Sequence, residues 1–156
     1  MALIIEDGTG KIDAQSYATD AELTAYAAER GITIAGTNGT NEQILLKAMS
    51  YIEGQSYIGY KKTREQALQW PSNDVELYGW DWPDDQIPSQ MKSAQIETAL
   101  QIDAGSDPTE TTDPDVKSES VGSLSVTYMD HSSTKRPKID LALAGLIKTG
   151  IEVVIL

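Results

Sequence analysis

Apolar positions along this chain recur every three to four residues from residue 19 to residue 102, then every second residue near residue 124. The first rhythm predicts amphipathic helices, the second a half-buried strand. Thr19 with Glu22 three residues later writes a capping box, followed by Leu23, Tyr26 and Ala27 on one face and Gly31 as a stop. Thr40 and Gln43 repeat the device ahead of Ile44, Leu45, Ala48, Met49 and Ile52. A third box, Thr63 with Gln66, predicts a helix of barely two turns, because Pro71 pushes Trp70 out of the helical region. Pro88 suits a first helical position, and Met91, Ala94, Ile96, Ala99, Leu100 and Ile102 give a wide apolar stripe before Gly105.

Between and beyond these segments the pattern changes. Leu3, Ile4 and Ile5 form a short apolar run ending at glycines, which predicts a terminal strand. Residues 72–86, rich in Asp, Pro, Gly and aromatics, read as a loop or lid. The acidic, proline-bearing stretch near residues 104–115 reads as a mobile connection. Leu124, Val126 and Tyr128 alternate with Ser and Thr, while Val116, Val121 and Gly122 suggest an earlier strand turning at the glycine, so a β arm is expected near residues 116–129. A short helix follows Pro137, and residues 150–156 form an apolar tail containing Ile151, Val153, Val154, Ile155 and Leu156. The expected fold is mainly α: one domain over residues 1–156, a small bundle of four to five helices with a β-hairpin or extended arm and short terminal strands.

Composition narrows the function. With 24 acidic against 12 basic residues the net charge is −12, which repels phosphate backbones and anionic lipid unless positive charge is concentrated locally. There are no cysteines, so disulfides, thiolate metal sites and thiol nucleophiles are excluded. No apolar stretch approaches the ~20 residues needed to cross a bilayer, and the start lacks a basic leader, so a soluble, unprocessed chain is expected. Phe is absent, and seven tyrosines and three tryptophans supply the aromatic surface, a choice that suits interfaces.

Candidate chemistry is sparse. His131 is the single histidine and lies in a turn-like stretch with no nucleophile or orienting partner, which reads as a solvated loop residue. Asp81, Asp84 and Asp85, and likewise Asp107, Asp113 and Asp115, lack calcium-loop spacing. The stretch DGTGKID fits neither a phosphate-loop nor a calcium-loop template. No catalytic residue, cofactor or metal site is expected. Two readings stand for Lys61, Lys62 and Arg64: a solvated helix start, or phosphate contacts beside Trp70 as a base-stacking platform. Lys135, Arg136 and Lys138 are candidates for contact with an acidic neighbouring subunit, or for none. Trp70, Trp80 and Trp82 fill a small core or form an intermolecular hot spot.

The phrases ALIIEDGTG, SYATDAELTAYAAERG, TREQALQWP, IPSQMKSAQIETAL and VKSESVGSLSVTYMD, in this order, resemble a tailed-phage family labelled DnaT-like single-stranded DNA-binding protein. The resemblance spans nearly the whole chain. Its hallmarks are Trp70-Pro71 after REQAL, Ile87-Pro88 and VKSESVG leading into SLSVTY; the aromatic stretch DVELYGWDWPDDQ and the apolar end depart from the pattern. That family looks like the head-to-tail connector (adaptor) proteins of phage particles. The resemblance implies a non-enzymatic virion protein of the phage neck, assembled in the host cytoplasm as a ring of twelve copies. Its partners would be the portal and a tail or stopper protein, with double-stranded DNA passing through without tight binding. Within such a ring Leu3, Ile4, Ile5, Leu124, Val126 and Tyr128 would pair with neighbouring copies, and residues 151–156 would dock on the portal or an adjacent subunit. Trp70 and Pro71 would be a structural anchor. The alternative is a single-stranded DNA-binding replication accessory in which Lys61, Lys62, Arg64, Trp70 and the tryptophan loop form a groove.

Overall fold

The computed structural model describes residues 2–110, 118–122, 124–127 and 136–148. Helix α1 (Asp20–Glu29) begins at the Thr19 box: Glu22 N donates to Thr19 Oγ1 at 3.1 Å, and Thr19 N to the Glu22 carboxylate at 2.8 Å. Helix α2 (Asn41–Glu53) begins with the same reciprocal pair between Thr40 and Gln43. Each box satisfies amides that the first helical turn leaves without partners. Leu23 and Ala27 of α1 are buried, as are Ile44, Leu45, Ala48, Met49 and Ile52 of α2.

Helix α3 (Ser89–Asp103) is the centre of the molecule, packing on α2 and on α4 (Pro137–Leu143). Pro88 is its N-cap, one position earlier than the sequence suggests. All six expected apolar positions are buried, yet so are Gln95, Glu97, Thr98 and Asp103, so α3 is covered almost all round. Those polar groups are bonded rather than stranded, as burial requires. Gln95 Oε1 accepts from Tyr17 N and Ala18 N, both at 3.0 Å, while its Nε2 donates to Ser16 Oγ at 2.6 Å and Leu45 O at 3.2 Å. Glu97 accepts from Tyr26 Oη at 2.7 Å. Asp103 accepts from Ala35 N and Gly36 N, and Asn38 Nδ2 donates to the carbonyls of Ile102 and Asp103, closing the end of α3.

The core has two parts. One gathers Ala18, Leu23, Ala27, Ile44, Leu45, Ala48, Ile96 and Ala99 between α1, α2 and α3. The other surrounds Trp70 with residues of α2, α3 and α4 and the loops. Three short antiparallel pairs complete the fold: β1 (Tyr60–Lys61) with β2 (Ser72–Asn73), β3 (Glu76–Leu77) with β4 (Trp80–Asp81), and β5 (Ser118–Val121) with β6 (Leu124–Thr127). The β5–β6 hairpin runs in register from Ser118 opposite Thr127 to Val121 opposite Leu124, and Gly122 takes φ 64° in its turn. This is the β arm expected from the alternating pattern.

Three expectations change. The Thr63 box forms, with Thr63 N donating to Gln66 Oε1 at 2.8 Å and Gln66 N to Thr63 Oγ1 at 3.1 Å, but no helix follows. Gln66 Nε2 instead binds the carbonyls of Leu68 and Pro71 at 2.9 Å, and Ala67 N donates across to Lys11 O, which turns the chain away from a helical path. At the N-terminus the apolar run makes an isolated parallel bridge, Ile5 with Ser16, rather than a strand. Part of the lid at residues 72–86 is a hairpin. Val116, Tyr128, His131 and the tail, with Ile151, Val153, Val154, Ile155 and Leu156, lie outside the described residues.

Replacing Gln95 by Leu keeps the volume but leaves the buried Tyr17 N without its acceptor, while Ala18 N and Ser16 Oγ keep their bond to each other. A loss of about 1–3 kcal/mol in unfolding free energy is expected, read from the denaturant midpoint. Leu at the exposed Gln86 should shift it by less than about 0.5 kcal/mol. Similar midpoints for the two variants would remove Gln95 from its place at the centre of the fold.

Candidate functional site

Lys61, Lys62, Arg64 and the three tryptophans all fall within residues 57–86. Trp70 is fully buried; its ring meets Tyr57 edge-on at 6.3 Å, and the Trp70–Pro71 peptide is cis. Its backbone N donates to Tyr17 Oη at 3.1 Å, and that hydroxyl donates to Glu53 Oε1 at 2.6 Å. Glu53 Oε2 accepts from Gln69 N at 2.8 Å. The loop from Lys62 to Pro71 is closed by Lys62 N donating to Pro71 O at 3.1 Å. A ring held inside the core has no free face for a base.

The cations beside it are partly engaged. Lys61 Nζ donates to Gln66 O at 3.3 Å, and Lys62 Nζ lies 3.8 Å from Asp84. Arg64 is exposed. The structure therefore places Lys61, Lys62 and Arg64 on the surface but Trp70 beneath it, so the groove combining all four does not form.

Tyr60 is 65% exposed on β1, and Tyr78 and Trp80 are 81% and 78% exposed on the β3–β4 hairpin. Tyr78 and Gly79 form its turn with φ 57° and 81°. Val75 and Leu77 point inward, Trp82 packs against the core, and Trp82 N donates to Val75 O at 2.7 Å. Sequence reading passed over this hairpin, although the V-E-L alternation followed by Tyr-Gly carried the signal.

The glycine loop after the N-terminal run is also explained. The buried Glu6 carboxylate accepts from Gly8 N, Gly10 N and Lys11 N at 2.8–2.9 Å. Amides that would cradle a phosphate in a true anion loop here surround the chain's own anion. A side chain at Gly8, which has φ 99°, would run into the Asp85 carbonyl, so the loop also fits closely against residue 85. Asp81, Asp84 and Asp85 are all exposed, and among the described residues no three acidic or histidine side chains are grouped to hold a metal ion. Asp113 and Asp115 lie outside those residues.

Over residues 1–155 the sequence matches the family described as "Putative DnaT-like ssDNA binding protein". The chain belongs to this DnaT-like family. No curated protein and no solved structure matches it. The description of the DnaT-like family names single-strand binding, which was the alternative in the sequence reading, and does not name a connector. Its match covers both core clusters and the hairpins, so the family is a property of the whole fold.

Burial pushes the Glu53 carboxyl up from its ordinary value, against the opposing hydrogen bonds from Tyr17 and Gln69. The same burial, with Glu53 beside it, pushes the Tyr17 hydroxyl well up. A carboxyl raised on folding favours the native state below its unfolded value, near 4.5, and that contribution disappears as pH rises through the folded value. Glu53→Gln should therefore gain stability relative to the parent between pH 4.5 and pH 7, measured by denaturant unfolding at both. Asp7, held down to about 2 by Thr9 and Lys11, acts in the opposite sense, adding stability above its ordinary value that is lost on acidification. A parent that gained on the variant across that window would show that the Glu53 site favours the charge.

Proposed function

We propose that this DnaT-like chain is a structural subunit of a tailed-phage neck, a head-to-tail connector that assembles as a ring and performs no chemistry. The observation that carries the reading is a net charge of −12 combined with the burial of Trp70. A single-strand binder needs a cationic track with stacking rings along it. Here Trp70, the tryptophan that follows the cation cluster, is inside the core, Tyr60 is the exposed ring next to Lys61, and acidic residues outnumber basic ones two to one. An acidic wall that a duplex slides past without sticking is compatible with the same charge.

In a closed ring one face of each copy meets the opposite face of the next. The β5–β6 hairpin, a two-stranded pair marginal by itself in water, would gain partners from a neighbouring copy. Leu3 and Ile5 are only partly exposed and Ile4 is 37% exposed; the backbone there is already partly paired, with Gln15 N donating to Ile4 O at 2.7 Å. In this reading the N-terminal run contributes side-chain contact to the ring, and the apolar tail reaches the portal.

The second reading, a single-stranded DNA-binding accessory, is favoured by the description of the family and by Tyr60 standing exposed beside Lys61 and Lys62. Titrating the full chain with oligothymidylate across salt separates the two. The connector reading expects no saturable complex at low salt, and density for this chain in the neck of imaged particles. The accessory reading expects a complex whose affinity falls with salt with a slope of at most about −2, since three cations are available. Such a complex, abolished when Lys61, Lys62 and Arg64 are replaced by Ala, would displace the connector.

A further inference from the structure

The β3–β4 hairpin leaves two large aromatic rings in water without any structural need for them. Val75 and Leu77 already anchor it from beneath, and Trp82 fixes its far strand on the core. Tyr78 and Trp80 make no contribution to that anchoring at 81% and 78% exposure; the Tyr78 hydroxyl merely accepts from Gln90 Nε2 at 3.1 Å. Exposed tyrosine and tryptophan side chains on a rigid support are the residue types that dominate protein–protein hot spots.

The charge around them selects the partner. Residues 65–91 contain no Lys or Arg, and Asp74, Glu76, Asp81, Asp84 and Asp85 are all exposed along this segment. Among the described residues, Lys62 reaches one of them, at 3.8 Å from Asp84. A nucleic acid stacking on Trp80 would bring its phosphates among these carboxylates, which repel them. A guanidinium suits both features at once: its flat face stacks on an aromatic ring and its fork of donors pairs with a carboxylate. The chain already displays half of this pairing, since the Arg30 guanidinium lies 3.4 Å from the centre of the Tyr26 ring.

We propose that the β3–β4 hairpin is a docking finger for an arginine-bearing segment of a different protein, with Tyr78 and Trp80 as stacking faces and the flanking carboxylates as charge partners. A second copy of this chain is a poor donor. With 24 acids against 12 cations two copies repel, and of its three arginines Arg30 pairs with Glu29 and Arg136 lies over the Tyr51 ring, which leaves the single exposed Arg64 rather than an arginine-bearing segment. The finger acts in this way whether or not the chain sits in a ring.

The test titrates the full chain with hexa-arginine, hexalysine and oligothymidylate, using the parent, Tyr78→Ala, Trp80→Ala and Asp81→Asn. Both aromatic positions are exposed, and unchanged circular dichroism certifies the fold. The parent is expected to prefer hexa-arginine over hexalysine. Each aromatic replacement should weaken hexa-arginine about two- to fivefold and hexalysine by less, and Asp81→Asn should weaken both. The proposal is overturned if hexa-arginine fails to bind or is bound no better than hexalysine. It is equally overturned if Trp80→Ala and Tyr78→Ala leave that affinity untouched, or if the parent binds oligothymidylate through Trp80.

Discussion

The side-chain amide of Gln95 is bonded through both its oxygen and its nitrogen, and much of the remaining structure inherits its position from that. Two acceptor and two donor contacts join α3 to residues 16–18 and to α2 across 50 to 79 positions of sequence. Because the amide is buried, any arrangement that breaks one contact must leave a polar group without water, so the geometry is specified rather than merely favoured. Tyr17, located by this amide, presents its hydroxyl to Glu53 and to the backbone of Trp70. Trp70 thereby enters the core, the loop ahead of it closes on Gln66, and β1 meets β2. The support beneath the β3–β4 hairpin is the last link of the same series.

The chain buries carboxylates in an unusual way. Glu6 and Asp103 are held mainly by backbone amides, and Glu53 by an amide and a tyrosine hydroxyl. Glu97 is the exception, with Lys138 at 3.8 Å, although that lysine is largely exposed. Fixing buried anions with neutral donors satisfies their lone pairs without spending cations. The surface consequence follows directly: with few lysines and arginines anywhere, the acidic exterior is not neutralised, and long-range attraction is reserved for positively charged partners.

How much of this could be read from the sequence depended on the range of each interaction. The boxes at Thr19 and Thr40 are local, with donor and acceptor three residues apart, so helix starts were legible. The Thr63 box is just as local and forms just as well, but the path after it is set by Lys11 O and by the carbonyls of Leu68 and Pro71. A local signal therefore names the bonds correctly and the element wrongly. The apolar stripe of α3 was visible, whereas nothing local marks Gln95, Glu97 and Asp103 as buried, because their partners lie in distant segments. The hairpin was hidden for another reason. A tyrosine at φ 57° ahead of glycine is an uncommon turn residue, and the Val-Glu-Leu alternation that signals the hairpin spans too few residues to stand out from a loop.

The three tryptophans separate the competing readings of function by where their indoles reside. Trp70 is interior, Trp82 is partly covered against the core, and Trp80 alone is mostly in water. For strand binding, the exposed ring should stand among the cations, since stacking and phosphate neutralisation act on the same nucleotides. Instead Trp80 has Asp81 next to it and Glu76 on the paired strand, while Trp70, which follows the basic cluster in sequence, is enclosed and Tyr60 is the ring left beside those cations. The exposed indole and the cations are thus assigned to different places, and the stacking faces of Tyr78 and Trp80 stand beside the wrong charge for a phosphate. That segregation is a physical reason to seek the partner among basic proteins, and to expect any contact with DNA to be loose.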